Sequence, residues 1–123
     1  MAIVRVLLVD DQAPFLRAMR AVVDETDGFA VVGEASSGEQ SILAVRELVP
    51  DLVLMDVNLV GMDGLEATSR LRASPSPPVV MLLSTYDEDP GANLAAWCGA
   101  AAYVTKSALE PARLRKLWAD ATG

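Results

Sequence analysis

The sequence predicts an α/β domain built on a parallel sheet. Short apolar runs of strand length alternate with amphipathic stretches of helix length from one end of the chain to the other. The runs Val4 to Val9 (VRVLLV) and Leu52 to Met55 (LVLM) are apolar almost without interruption, as strands covered on both faces must be. No repeat, low-complexity tract or linker divides the 123 residues, which is the size of one ordinary domain.

Taken in order, Val4 to Val9 is the first strand. Pro14 stands where a helix can begin, because its missing N–H costs nothing in a first turn. Phe15, Met19 and Val22 recur at i, i+4 and i+7, while Arg17, Arg20 and Asp24 point elsewhere, and Gly28 is expected to end this helix. Phe29 to Ala35 (FAVVGEA) is the second strand, and a helix from Gly38 to Leu48 follows, stopped by Pro50. Leu52 to Met55 is the third strand, closed by Asp56. Asp63 with Glu66 three residues on has the pattern of a capping box and opens a helix to Arg72. The segment Ser74-Pro-Ser-Pro-Pro78 breaks the chain. Val79 to Leu83 is the fourth strand, Glu88 to Trp97 a fourth helix closed by Gly99, and Ala101 to Val104 a short fifth strand. Pro111 falls in the first turn of the last helix. There Leu114, Leu117, Trp118 and Ala121 share a face, with Arg113, Arg115 and Lys116 outside it.

Composition excludes several classes of function. With 52% hydrophobic residues the chain can form a core, which disordered chains cannot. A formal net charge of −7 argues against this domain gripping a phosphate backbone by itself. The single cysteine, Cys98, allows no internal disulfide and fits a reducing compartment; beside Trp97 in an Ala-rich stretch it reads as a small buried hydrophobe. There is no histidine, which removes His-based triads, His general bases and most zinc sites. Met1 to Val9 is too short for a signal peptide and runs straight into Asp10 and Asp11. No stretch approaches the roughly 20 apolar residues of a membrane span. No membrane partner is expected, and a cytoplasmic location is the default.

Right-handed crossovers place helices on both faces of such a sheet. Ligands then bind at the carboxyl ends of the strands, near the point where strand order reverses. Strand one ends in Asp10 and Asp11, strand three in Asp56 with Asn58 two residues on, and strand four in Ser84 and Thr85; Lys106 follows strand five. Taken singly, each has an ordinary explanation as a solvated turn, a cap, a strand-end hydroxyl or a surface charge. Together they put three carboxylates, a hydroxyl and an ammonium at one edge. Two carboxylates about 4 Å apart repel by about 4 kcal/mol at an effective dielectric near 20, so such a cluster needs positive charge. Lys106 can offset one carboxylate and a hard divalent cation the rest. Oxygen donors without His or Cys favour Mg2+, Mn2+ or Ca2+ over zinc, and Mg2+ suits phosphoryl chemistry best. Asp56 is placed to act as a nucleophile toward phosphorus and carry an aspartyl phosphate. The phosphoryl oxygens would be neutralised by the cation, by Lys106, and by the Ser84 hydroxyl or a backbone N–H.

These strand ends carry a resemblance. Val6-Leu-Leu-Val-Asp-Asp11, Asp51-Leu-Val-Leu-Met-Asp56, Gly61-Met-Asp-Gly64, Val80-Met-Leu-Leu-Ser84 and Gly99-Ala-Ala-Ala-Tyr-Val-Thr-Lys106 resemble, in order and spacing, a response-regulator receiver domain. The likeness covers essentially the whole chain. It implies a flavodoxin-like doubly wound (βα)5 fold with a five-stranded parallel sheet of order 2-1-3-4-5. It implies Asp56 as phosphoacceptor, Asp11 as a direct cation ligand helped by Asp10, and the backbone carbonyl of Asn58 as a further ligand, for Mg2+ with Mn2+ as the substitute. Ser84 would be the hydroxyl that moves toward the phosphoryl group, Tyr103 the aromatic that turns inward with it, and Lys106 the partner of a phosphoryl oxygen. The donor would be a phosphohistidine on a histidine kinase, and the domain would catalyse only its own phosphorylation and dephosphorylation. The read-out face would be the fourth helix, fifth strand and fifth helix, with a homodimer possible there. Tyr86-Asp-Glu-Asp-Pro90 resembles receivers that precede a helix-turn-helix domain, so residues 1–123 are expected to be the receiver part of a longer regulator, with DNA reached only through a domain not in this chain. Leu59-Val60, Ala102 and Ser107 depart from the family's usual apolar-Pro, Gly and Pro at those places, which bears on the loops rather than the chemistry.

Other readings are an aspartate-nucleophile phosphatase, a receiver-like domain working by protein contact alone, and a flavodoxin-like cofactor binder. The phosphatase class begins from an Asp-x-Asp pair after its first strand, whereas Asp56-Val-Asn58 follows the third and no cap domain is present. A flavin phosphate would meet Asp10 and Asp11 where it needs Ser, Thr and Gly.

Overall fold

The computed structural model describes residues 2–59, 61–85 and 98–123. The expected fourth helix, the Tyr86 to Pro90 segment and Val60 lie outside the described residues. Five strands are present: β1 (Val4–Val9), β2 (Phe29–Ala35), β3 (Leu52–Asp56), β4 (Val79–Ser84) and β5 (Ala102–Thr105). The described helices are α1 (Ala13–Asp24), α2 (Gly38–Leu48), α3 (Gly64–Arg72) and α4 (Pro111–Thr122), with a single 3-10 turn at Lys106–Ala108. All strand pairs are parallel and the order is β2-β1-β3-β4-β5.

Two apolar layers hold the sheet. Val6, Leu8, Leu52, Leu54, Met81 and Leu83 face one side, where Met19 and Val23 of α1 and Leu114 of α4 cover them. Leu7, Val9, Val53, Met55, Val80 and Leu82 face the other, under Ala67 and Leu71 of α3 and Ile42 and Val45 of α2. The period-2 alternation of each inner strand thus feeds both layers, which is why these strands read as near-continuous apolar runs. Cys98 packs against the second layer, as its apolar surroundings imply.

Local signals set most boundaries. Pro14 lies in the first turn of α1 and Pro111 in that of α4. The Ser37 hydroxyl accepts from the Gln40 N–H and caps α2. Asp63 caps α3 by accepting from the Glu66 N–H at 2.8 Å, but the Glu66 carboxylate pairs with Arg70 at 3.0 Å. Other expectations need correction. The first helix ends at Asp24, not at Gly28: Glu25 is its cap, and the buried Thr26 turns its hydroxyl onto the Val22 carbonyl at 2.6 Å. Gly28 serves the following turn, at φ 85. β5 begins one residue later than expected, and β3 and β4 each run one residue further. Ala121 is exposed, so the covered face of α4 is Leu114, Leu117 and Trp118, with the Trp118 ring edge-on to Phe29. No described helix is long and apolar enough to cross a membrane.

Register decides what meets at the carboxyl edge. Val9 pairs with Met55, which sets Asp10 level with Asp56. Asp56 pairs with Leu83, so Ser84 stands one residue beyond it, and Ser84 pairs with Thr105, immediately before Lys106. Strand order reverses between β1 and β3, the place where open α/β sheets bind ligands.

Candidate functional site

The carboxylates of Asp10, Asp11 and Asp56 converge, with an oxygen of each within 4.8 Å of the others. Asp10 and Asp56 are buried, and Asp11 is exposed at the rim. Two backbone amides hold the buried pair in place: the Gln12 N–H donates to Asp10 Oδ1 at 2.9 Å, and the Asn58 N–H to Asp56 Oδ1 at 3.2 Å. Lys106 Nζ reaches in from the 3-10 turn after β5. It lies 2.6 Å from Asp10 Oδ2 and 3.6 Å from Asp56 Oδ1, with its side chain only 9% exposed. Its closer bond is therefore to Asp10.

One ammonium against three carboxylates leaves an excess of negative charge. Burial pushes the Asp56 carboxyl above the ordinary carboxylate range, and the charges of Asp10 and Asp11 push the same way. The Asn58 N–H and the Lys106 ammonium pull it back without cancelling the rise. The donor set is oxygen alone, partly open at Asp11, with charge still to be balanced. It fits a hard divalent cation such as Mg2+ or Mn2+, held by Asp10, Asp11 and Asp56.

The other expected residues take these places. Ser84 is buried at the end of β4. Asn58 is exposed and bound to the site through its N–H. Tyr103 is half-buried in β5, packed on the α2 and α3 side of the sheet, and its strand position pairs with Leu82. Two further residues, Gly64 and Phe15, join the site without a chemical signature of their own in the sequence. A Cβ on Gly64 would fall on the Asp56 carbonyl oxygen and lie 2.8 Å from the Val57 Cα, so the loop carrying Asp56 can close against α3 only over a glycine. The signal was present in the Gly61 to Gly64 motif, but the close approach is tertiary. Gly64→Ala is expected to destabilise the domain by about 1–3 kcal/mol, because both obstructing atoms are backbone. A thermal melt like that of the wild type would contradict this. Phe15 of α1 places its ring 3.7 Å from Lys106 Nζ.

A five-stranded doubly wound sheet with an acidic cluster and a lysine at its carboxyl edge defines a receiver-type domain. Residues 6–118 match the family described as response regulator receiver domain, and the chain belongs to that family. It is 43% identical over 105 residues to the response regulator GacA of Pseudomonas viridiflava, covering 85% of this chain and 49% of that protein. It is 36% identical over 105 residues to the response regulator UvrY of Escherichia coli, covering 85% and 48%. The chain thus spans about half the length of the curated relatives it matches. Among solved structures, the receiver domain of the response regulator NarL from Mycobacterium tuberculosis superposes with a TM-score of 0.89 at 28% identity, covering 100% of this chain and 99% of that one. A LuxR-family two-component response regulator from Aurantimonas sp. superposes with a TM-score of 0.83 at 33% identity, covering 94% and 81%.

Proposed function

We propose that this chain is the phosphoacceptor switch of a two-component system. The observation that carries the reading is the meeting of Asp10, Asp11 and Asp56 within 4.8 Å, with Lys106 Nζ between the two buried members. An Asp56 carboxylate oxygen attacks the phosphorus of a phosphohistidine on a histidine kinase. The P–N bond breaks, and the imidazole leaves with its electron pair and takes up a proton. Asp10, Asp11, Asp56 and the Asn58 carbonyl would hold Mg2+, which when bound neutralises phosphoryl oxygens. Lys106 pairs with another phosphoryl oxygen, and in doing so gives up part of its bond to Asp10. The Ser84 hydroxyl closes on a third, and Tyr103 follows it inward. The domain thereby favours its active form through contacts made only when phosphorylated. Its catalysis is confined to its own phosphorylation and dephosphorylation.

The output proposed is transcription, reached through a DNA-binding domain elsewhere in a longer cytoplasmic regulator whose receiver is residues 1–123. The support is that the GacA and UvrY response regulators are about twice as long as the matched part. The face that includes β5 and α4 is the proposed read-out surface and homodimer contact.

Intact mass after incubation with acetyl phosphate tests the reading. The domain is expected to gain one phosphoryl group with Mg2+, none with a chelator, and none as Asp56→Ala. No gain by the wild type, with Mg2+ demonstrably bound and a cognate kinase supplied, would leave a receiver that works by protein contact alone.

A further inference from the structure

We infer that Phe15 is a positioning residue for Lys106, an inference that rests on the phosphoacceptor reading. Lysine is a compact charge on a flexible four-carbon stem, and its ammonium is not fixed in direction by its own chemistry. Among the described residues three groups lie against it: Asp10 Oδ2 at 2.6 Å, Asp56 Oδ1 at 3.6 Å and the Phe15 ring at 3.7 Å to its centroid. The first two belong to the acidic cluster. The ring belongs to the first turn of α1, outside it, and attracts the ammonium without adding negative charge to a site that already has too much.

That difference matters when the site works. Asp10 is committed twice, to Lys106 and to the cation the cluster fits, so its hold on Lys106 weakens as the site fills. The ring makes no such second bond. Attraction to a ring face persists to about 6 Å from the centroid, so Lys106 can turn from Asp10 toward a phosphoryl oxygen on Asp56 and stay over Phe15. A cavity of about 250 Å³ between α1 and the segment after β5 gives both side chains room for that shift; Met19, Val22, Thr85 and Leu109 line it with them. Phe15 therefore keeps the ammonium directed into the site when its carboxylate partner lets go.

The test compares wild type, Phe15→Tyr, Phe15→Leu and a protein with pentafluorophenylalanine at position 15, which keeps the size of the ring and removes its attraction for cations. The first measurement is the NMR shift of the Lys106 ε-methylene protons in the metal-free domain. They are expected upfield of an ordinary lysine in wild type and Phe15→Tyr, and at the ordinary value in Phe15→Leu. The second is beryllofluoride affinity at saturating Mg2+. It is expected to fall three- to tenfold in Phe15→Leu and in the fluorinated protein, and to stay within twofold in Phe15→Tyr, with Mg2+ affinity unchanged throughout. Wild-type beryllofluoride affinity in the fluorinated protein, or an unshifted Lys106 methylene in the wild type, overturns the inference. A wild type with the shifted methylene that takes up no beryllofluoride overturns the phosphoacceptor reading, and the positioning role with it, while leaving the ring contact standing.

Discussion

Lys106→Met is expected to lower the stability of the metal-free domain by about 3–5 kcal/mol, a fall in Tm on the order of 10–20 °C for a domain of this size. Methionine keeps the length and apolar stem of the side chain, so packing against Phe15 survives and the charge alone is lost. What remains is Asp10, fully buried, and Asp56, nearly so, with no ammonium between them. Removing one partner of a buried pair costs more than the pair contributes, because the surviving charge is left desolvated. Mg2+ should reverse much of the loss: it binds the folded cluster and not the unfolded chain, and binds a more negative cluster more tightly. The Mg2+-induced rise in Tm is therefore larger in the variant than in the wild type. The variant should still accept a phosphoryl group on Asp56 but show a weak conformational response. Circular-dichroism melts with and without Mg2+ decide the stability half. A metal-free variant melting within about 2 °C of wild type would show that Lys106 does not hold the buried pair.

The second large effect runs the opposite way. Asp56→Asn removes phosphorylation altogether, yet should raise the stability of the metal-free domain at neutral pH. Burial and the neighbouring charges of Asp10 and Asp11 raise the Asp56 carboxyl above the ordinary carboxylate range. A carboxyl whose pKa is higher folded than unfolded favours the folded state when protonated. Its contribution is present below the unfolded pKa and lost as pH rises through the folded one. Asparagine stays neutral at every pH and escapes that loss. The advantage of the variant should therefore be full above the folded pKa, shrink as pH falls through it, and vanish below the unfolded pKa. Relief of a like-charge contact of about 4 kcal/mol, part of it already offset by Lys106, gives a gain of roughly 1–3 kcal/mol. Saturating Mg2+ should erase or invert it, since the wild type has one more carboxylate to bind the cation. A variant less stable than wild type at pH 7 without metal would contradict the charge excess assigned to this site.

How far the sequence was legible follows from the range of each interaction. The inner strands were legible because both faces are covered, which forces unbroken apolar runs from Val6 to Val9 and from Leu52 onward. Pro14, Asp63 and Pro111 marked helix starts because capping is local. Helix ends were harder: Gly28 was the conspicuous stop signal, but Thr26 folding back on Val22 ends α1 earlier. The site residues were legible as types at strand ends, since a parallel sheet delivers every strand end to one edge. Their partners were not. The bond from Lys106 to Asp10 spans 96 residues in sequence, and nothing local says that Lys106 prefers Asp10 to Asp56. Phe15 was absorbed into the apolar stripe of α1, where Met19 and Val22 fully account for its spacing, so its contact with Lys106 left no trace in the pattern. Gly64 was visible in a motif, but the backbone of Asp56 pressing on it was not.

Borohydride trapping locates the residue that carries the phosphoryl group, expected to be Asp56. After phosphorylation in Mg2+, borohydride reduces an aspartyl phosphate to homoserine, and peptide mapping by mass spectrometry locates the changed residue. Homoserine is expected at position 56 alone, formed only when Mg2+ and the phosphodonor are both present. Homoserine at position 10 or 11, or a phosphoryl group that resists borohydride and maps to a hydroxyl residue, would contradict Asp56 as the carrier.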